Sequence, residues 1–253
     1  MKRILKKLGV MAVGAAMLVM TAGCGKTDSD KIVFGTNAEF PPFEFVSSSG
    51  VIGEYDGIDM AIVKKIGEDS GKEVTINNME FDSLLIALDK GQVDAVISGM
   101  TITDERKEAV DFSEPYYTAT QVMIVKEGSD IQKASDMADK RIVVIQGYTG
   151  EICVQDLGYE YEAFKKGTEA IMELKNDKCD VVVIDSATAE KYVADNEGLA
   201  IVEDPSAFGI EEYGIAVKKG NTELLKLIND SLSKMIADGT VSELAAQYAE
   251  TEE

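Results

Sequence analysis

A segment at residues 98–106, SGMTITDER, has the composition of a carboxylate-binding site. It follows a short apolar run. The start of a helix is predicted at Thr103, which would be its N-terminal cap, because the acidic residues Asp104 and Glu105 come next in the chain. The free N–H groups of a helix start attract carboxylates, and Arg106 in the same turn can add a bidentate, charge-assisted pair. The segment therefore predicts a site that binds and orients a carboxylate.

The composition argues against most other kinds of site. The chain has no histidine, which removes the commonest general base and the commonest metal ligand, so that no metal or cofactor is expected. Its formal net charge of −21 disfavours nucleic acid and anionic lipid as partners. An anionic ligand group would therefore need a local positive site that works against the overall charge.

The elements that must position this segment alternate between strand and helix. Buried parallel strands are predicted from β-branched runs at residues 32–34, 95–97, 142–145 and 181–184. Amphipathic helices are predicted at residues 59–69, 81–90 and 224–236, the last ending before Gly239. This alternation predicts an α/β fold.

Two internal similarities indicate that the chain contains the same structural unit twice. Residues 85–98 resemble residues 171–184, each reading as helix, turn, Asp and strand, and residues 31–37 resemble residues 141–147. The two offsets differ, which indicates shared architecture and not a tandem repeat. We expect residues 116–125 and 209–217 to be hinge strands between two lobes. Lobe 1 is then residues 31–122 plus 213–253, and lobe 2 is residues 123–212.

Residues 1–23 have the pattern of an export signal. An apolar run at residues 8–20, shorter than the roughly 20 residues of a membrane span, follows four cations, Lys2, Arg3, Lys6 and Lys7. The small residues that end at Cys24 resemble the lipobox of bacterial lipoproteins, which implies a lipidated Cys24 and a linker at residues 24–30. An ordinary signal peptide is the alternative, because Thr21 stands where Leu is commoner. We expect an extracytoplasmic protein anchored to the cell membrane by its lipid.

Cys153 and Cys179 are the remaining cysteines. An exported compartment permits a disulfide, but sequence separation does not establish the geometry of one. Both the bridged and the free state remain open.

Six motifs together give the chain a specific resemblance that covers nearly all of it beyond the leader. They are TNAEFPPFEF (36–45), GID (57–59), VDAVISGMTITDERK (93–107), DFSEPYY (111–117), QGYTG (146–150) and EYGIAV (212–217). The sequence resembles the polar amino-acid family of solute-binding proteins of ABC importers, the relatives of glutamine, histidine and lysine/arginine/ornithine binders. One departure is Ala61, where that family usually has an acidic residue.

The resemblance implies a two-lobed, type II periplasmic-binding-protein fold, in which each lobe is a mostly parallel sheet flanked by helices. It also implies the function. The protein would capture a free polar or basic L-amino acid by closure of the cleft, and deliver it to a membrane permease, as a monomer.

The resemblance also implies the roles of individual residues. Arg106 would bind the ligand α-carboxylate, and Asp185, directly after the strand at residues 181–184, would bind the α-ammonium group. Capping of the following helix is the alternative for Asp185, and a surface ion pair is the alternative for Arg106. The carboxylate would also be bound by Ser98, Gly99 and Thr101 and, across the cleft, by Thr149 and Gly150.

The same comparison addresses the ligand side chain. Phe40 and Phe81 would hold it between their rings, although either could be ordinary core. Asn37 and Gln146 would face its far end, and neutral groups there disfavour an acidic side chain, which would be desolvated without a partner. A glutamine-like polar or a basic ligand remains. Glu39 either reaches a cationic side chain or faces solvent.

Two other functions remain as alternatives. An enzyme on the same fold, such as a dehydratase or a lyase, would use Glu39 or Asp185 as acid or base. A sensory ligand-binding module is disfavoured, since the sequence shows no signalling segment.

Overall fold

The computed structural model describes residues 30–249, and the predicted leader and Cys24 lie outside this range. In chain order the elements are β1 (Lys31–Thr36), β2 (Glu39–Phe40), β3 (Glu44–Val46), β4 (Tyr55–Asp56), α1 (Ile58–Ser70), β5 (Glu73–Asn78), α2 (Leu84–Asp89), β6 (Ala95–Val96), α3 (Asp104–Ala109) and β7 (Val110–Phe112). They continue with β8 (Tyr117–Lys126), β9 (Ile142–Ile145), α4 (Thr149–Asp156), β10 (Tyr161–Phe164), α5 (Gly167–Lys175), β11 (Val181–Asp185), α6 (Ser186–Ala194), β12 (Leu199–Val202), β13 (Ile210–Tyr213), β14 (Ala216–Lys218), α7 (Thr222–Ala237) and α8 (Thr240–Ala249). No helix within residues 30–249 is both long and apolar enough to cross a bilayer.

The first large sheet has the strand order β5-β1-β6-β14-β7. Strand β1 is parallel to β5 and β6, whereas β14 is antiparallel to β6 and β7. The apolar residues that predicted β1 and β6 are buried in the sheet except for Val33, which is half-buried. We refer to this sheet and its helices as lobe 1.

The second large sheet, in lobe 2, has the order β10-β9-β11-β8-β12. Strand β9 is parallel to β10 and β11, and every residue of β9 and β11 is buried. Strand β8 is antiparallel to β11 and β12. Two α/β lobes are thus present, as the sequence predicts. Along the strand orders given, however, each sheet has two parallel and two antiparallel pairs, so the sheets are mixed and not mostly parallel.

An equivalent aspartate explains the internal similarity of the two lobes. In lobe 1, the backbone N–H of Val33 donates to Asp94 Oδ2 at 2.7 Å, and the Asp94 N–H donates to the Val33 carbonyl. In lobe 2, Arg141 and Asp180 form the same pair of bonds, with 2.8 Å between Arg141 N and Asp180 Oδ2. In each repeat, the Asp of the helix–turn–Asp–strand pattern therefore holds the start of the neighbouring strand.

Two adjacent strands run between the lobes. The first residues of β8, Tyr117–Thr120, pair with β13, and its later residues pair with β11 and β12. The second predicted hinge strand, residues 209–217, divides into β13 and β14 around Gly214. A Cβ at Gly214 would lie 2.8 Å from Ile102 Cδ1, so a side chain there would press against lobe 1. The lobe boundaries near residues 122 and 213 stay a prediction.

The helices follow the predicted patterns, with two differences. The predicted helix at residues 81–90 begins with a 3₁₀ turn, Phe81–Ser83, before α2. Helix α7 ends before Gly239, which has φ +87°, but the chain then forms a further helix, α8, that was not predicted. Asp238 Oδ1 accepts hydrogen bonds from the N–H and hydroxyl of Thr240 and so holds the first turn of α8.

Candidate functional site

The predicted carboxylate-binding segment is a loop that leaves the end of β6 and enters α3. Gly99 has φ +47°, and a Cβ on it would lie 2.5 Å from Phe40 Cε1, so both the backbone conformation and the space require glycine. Thr103 caps α3 as predicted, since its hydroxyl accepts from the N–H of Arg106 at 3.1 Å. The loop is thereby held against the aromatic wall of the cleft.

Two buried carboxyl groups, those of Asp59 and Glu44, hold this loop from the side away from the cavity. Asp59 accepts from the N–H of Gly99 at 2.9 Å and from the Tyr116 hydroxyl at 2.8 Å, and the Ser98 hydroxyl donates to Glu44 Oε1 at 2.7 Å. Burial, with the nearby charge of Asp59 second, raises the pKa of Glu44 well above its ordinary value. Burial also raises the pKa of Asp59 to about 6. The conformation of the loop thus depends on two carboxyl groups that do not line the cavity.

Arg106 is half-buried at the mouth of the cleft and joins the two lobes. Its Nη1 donates to the Thr101 carbonyl at 2.8 Å and its Nη2 to the Gly147 carbonyl of lobe 2 at 3.0 Å, while its Cζ lies 5.3 Å from the centre of the Phe81 ring. Desolvation lowers the pKa of Arg106, but a guanidinium remains charged in a protein. Within residues 30–249 no carboxylate forms an ion pair with it, and its direct contacts are with two carbonyl groups and a ring, while Asp185 and Glu211 act on its charge from a greater distance.

Asp185 supplies the negative charge of the site from the end of β11. It is 2% exposed, and its Oδ1 accepts from the Tyr213 hydroxyl at 2.7 Å. Burial, followed by the nearby charge of Glu211, raises the pKa of Asp185 to about 7. Asp185 precedes α6, but its side chain makes no capping hydrogen bond, so the alternative role as a helix cap is not supported.

A cluster of polar side chains connects the lobes beneath these charges. The hydroxyls of Thr101, in lobe 1, and Thr149, in lobe 2, lie 3.2 Å apart, and each donates to Glu211 Oε2 at 2.9 Å. The Gln121 amide donates to Thr149 Oγ1 and to the same Glu211 oxygen, both at 3.3 Å. The Glu211 carboxylate on β13 therefore accepts hydrogen bonds from side chains of both lobes.

The aromatic wall of the cleft contains a third ring from lobe 2. Tyr148 precedes α4, and its ring lies edge-on to Phe40, at 5.2 Å and 90°, and to Phe81, at 4.6 Å and 62°. Its hydroxyl donates to Asn37 Oδ1 at 3.1 Å. Tyr148 thus stands between the two rings that the sequence predicted to hold a ligand side chain.

One cavity between the lobes, with about 190 Å³ of space including the part open to solvent, brings most of the predicted residues together. Its lining residues are Phe40, Phe81, Ser98, Gly99, Thr101, Arg106, Tyr148, Thr149 and Asp185. All of these except Tyr148 were predicted to bind the ligand.

The structure does not bring three predicted residues to this cavity. Asn37 is buried behind Tyr148, and the exposed side chain of Gln146 donates to Asp82 Oδ2 at 3.1 Å. Gly150 is part of the packing of α4 on β11, because a Cβ there would lie 2.8 Å from the Val183 carbonyl oxygen. Its small size serves helix packing in this arrangement.

Glu39 forms an ion pair across the cleft with Lys166. Its Oε1 lies 2.6 Å from the Lys166 ammonium of lobe 2, and the Tyr192 hydroxyl donates to its backbone carbonyl at 3.3 Å. The ion pair joins the lobes at the edge of the cleft, so Glu39 is already engaged by a cation of the protein.

The sequence reasoning missed two residues of the site, Tyr148 and Glu211. Tyr148 lies inside the QGYTG motif, where a large side chain between Gly147 and Gly150 was the available signal. Glu211 precedes the EYGIAV motif on a predicted hinge strand, and no local pattern distinguishes it from other acidic residues of this acidic chain.

Other site chemistries receive no support. Within the part of the chain that the structure describes, no group of three or more His, Cys, Asp or Glu side chains could hold a metal ion. Cys153 and Cys179 are both free thiols, and burial raises the pKa of each to about 12, so neither is an activated nucleophile.

The chain is similar to known proteins over nearly all of its described length. The profile of bacterial extracellular solute-binding proteins, family 3, matches residues 32–251. A probable histidine-binding protein of Neisseria gonorrhoeae is 33% identical, with 96% of each chain covered, and the arginine-binding extracellular protein ArtP of Bacillus subtilis is 31% identical, with 96% of this chain and 98% of ArtP covered. The arginine-, lysine-, histidine-binding protein ArtJ of Geobacillus stearothermophilus superposes with a TM-score of 0.81 at 36% identity, covering 88% of this chain and 96% of ArtJ.

These similarities confirm the predicted type II, two-lobed fold and a role in binding for transport, and they do not support an enzyme. They extend over nearly all of the described residues and include the loop at residues 98–106. The chain belongs to the bacterial extracellular solute-binding proteins, family 3.

Proposed function

We propose that this protein binds a free L-amino acid between its lobes, with Arg106 at the α-carboxylate and Asp185 at the α-ammonium group. The observation that carries the proposal is that these opposite charges line one cavity between the two sheets. Neither charge has an ion-pair partner among residues 30–249, so a zwitterion would supply a partner for each. Charge-assisted hydrogen bonds in such a low-dielectric site are stronger than those between neutral groups.

The state of Asp185 favours a cationic partner. Its carboxyl group has a pKa of about 7 because burial and the charge of Glu211 oppose its ionisation. An ammonium group beside it would favour the ionised form and lower that pKa. The relatives named above as arginine- and histidine-binding proteins support a polar or basic amino acid as the ligand class.

Closure of the lobes on the ligand is the proposed mechanism. Contacts that cross the cleft include Arg106 to Gly147, Thr101 to Thr149, and the ion pair of Glu39 with Lys166. The strands β8 and β13 would absorb the rotation, with the lobe boundaries near residues 122 and 213. A ligand that binds both lobes stabilises the closed state relative to the open one and so shifts the population toward it.

The place of the protein in the cell is also a proposal. The composition of residues 1–23 and the small residues before Cys24 favour export, cleavage and a lipid anchor. We propose that the anchored protein acts as a monomer and delivers its amino acid to an ABC permease in the membrane.

Titration calorimetry with a panel of L-amino acids tests the proposed function. We expect binding with a Kd on the order of 1 μM, or about −8 kcal/mol. Arg106→Ala should weaken binding by at least about 100-fold, since it removes a charged hydrogen-bonding partner.

Arg141→Ala is the matched control. Arg141 pairs with Asp180 at the surface of lobe 2, away from the cavity, and its loss should leave the affinity within about 3-fold. Unchanged affinity in Arg106→Ala would refute the carboxylate assignment.

A further inference from the structure

The proposed function leaves one compartment of the cavity for the ligand side chain. Arg106 and Asp185 fix the two charged groups of an amino acid, and the main remaining walls are the rings of Phe40, Phe81 and Tyr148. Two of these rings come from lobe 1, and Tyr148 comes from lobe 2. The length of the compartment therefore depends on how far Tyr148 reaches across the cleft.

Tyr148 reaches far enough to be anchored in lobe 1. Its hydroxyl donates to Asn37 Oδ1 at 3.1 Å, and the Asn37 amide donates to the Met79 carbonyl at 3.0 Å. The tyrosine is only 6% exposed, and its ring makes edge contacts with Phe40 and Phe81. The ring is thus held by a buried hydrogen bond and by two aromatic neighbours.

This anchoring takes up the polar groups that a long ligand side chain would use. The Asn37 carbonyl oxygen already accepts from Tyr148, and one amide hydrogen is bound to Met79. The carboxylate of Glu39, which could have met a cationic side chain, is paired with Lys166 at 2.6 Å. A guanidinium or a long amide in this compartment would displace Tyr148 and leave buried polar groups without partners.

The size of the cavity agrees with this arrangement. Even with the part open to solvent included, only about 190 Å³ of space is present, so the three rings leave little room beside the two charged groups. We propose that Tyr148 determines specificity by shortening the side-chain compartment, so that the protein selects an amino acid with a short, uncharged side chain over glutamine and arginine. This inference rests on the proposed amino-acid site, and it replaces the polar or basic ligand class that the relatives suggest with a short, uncharged one.

Calorimetry on three proteins tests the inference: wild type, Tyr148→Ala and Tyr148→Phe. The ligands are L-alanine, L-serine, L-threonine, L-glutamine and L-arginine. Wild type should bind its best short ligand at least about 10-fold more tightly than glutamine or arginine, which is the range that steric fit alone provides. Tyr148→Ala should improve the affinity for glutamine or arginine at least about 10-fold relative to the short ligands. Tyr148→Phe keeps the ring and should keep the wild-type order.

Tyr192→Ala is a control for general damage to the closed state. Tyr192 is also a buried lobe 2 tyrosine whose hydroxyl reaches Glu39 of lobe 1, but it does not line the cavity. Its loss should weaken all five ligands by a similar factor and leave their order unchanged.

The outcomes separate the inference from the proposed function. If wild type binds glutamine or arginine as tightly as the short amino acids, the role of Tyr148 is refuted while the amino-acid site stands. An unchanged ligand order in Tyr148→Ala has the same meaning. If none of these five amino acids binds, the inference fails, and the proposed function fails with it only if the wider panel of L-amino acids also shows no binding. The wild-type order decides the question even if Tyr148→Ala does not fold.

Discussion

Replacing Asp185 by Asn should make the ligand-free protein more stable in alkaline solution. Asp185 is 2% exposed, and burial together with the charge of Glu211 raises its pKa from 3.8 to about 7. Above pH 7 the native state therefore holds an ionised carboxylate in an unfavourable environment. An asparagine has nearly the same shape, can still accept the hydrogen bond of Tyr213, and carries no charge.

The sign and the size of the effect follow from proton linkage. Between pH 3.8 and about 7 the native state binds more protons at Asp185 than the unfolded state, so the free energy of unfolding decreases as pH rises through this range. At 1.36 kcal/mol per pKa unit the full effect is about 4 kcal/mol above pH 7, and none of it is present below pH 4. Asp185→Asn should recover on the order of 2–4 kcal/mol at pH 8, which is roughly 4–16 °C in Tm for a chain of this size.

Thermal unfolding of ligand-free wild type and variant at pH 8 and pH 4 measures this difference. Asp180→Asn, at the other end of the same strand, is a control of opposite sign, because Arg141 lowers the pKa of Asp180. Loss of that charge should reduce stability at pH 8. The reasoning is wrong if Asp185→Asn gains no stability at pH 8, or gains the same amount at both pH values. The variant should also lose amino-acid binding, since the ammonium partner is gone.

Two further predictions concern a glycine and the thiols. Gly99→Ala should cost at least about 2 kcal/mol in urea unfolding, because a left-handed backbone is combined with a Cβ 2.5 Å from Phe40 Cε1. Gly91→Ala, with φ +69° and no atom within 4 Å of its Cβ, should cost only about 1–2 kcal/mol, and equal costs would contradict the role of the Phe40 contact. Burial raises the pKa of Cys153 and of Cys179 to about 12, so at pH 8 both thiols should react with a thiol reagent much faster after unfolding than in the native state. Peptide mass spectrometry measures the labelling. Rapid labelling of the native protein, or isolation of a disulfide-linked peptide, would contradict this prediction.

Local patterns in the sequence were enough for most of the fold. The β-branched runs predicted the buried strands β1, β9 and β11, because residues covered on both faces of a parallel sheet must be apolar. Thr103 predicted the start of α3, because a capping hydroxyl acts over a few residues of chain. Helix α8 was missed because its short amphipathic pattern follows a strong helix-stop signal at Gly239. A helix of this length is marginal in isolation, and packing against α1 and α7 stabilises it.

In the candidate site too, some residues could be predicted from the sequence and others could not. Residue type and motif led to Arg106, whose chemistry is readable from the capping residues before it, and the resemblance to solute-binding proteins led to Asp185 at the end of a predicted strand. The sequence did not determine that Tyr148 would stand between Phe40 and Phe81, or that Glu211 would bind hydroxyls of both lobes. These contacts join segments far apart in the chain, and their geometry is set by the packing of one lobe on the other, which no local periodicity records.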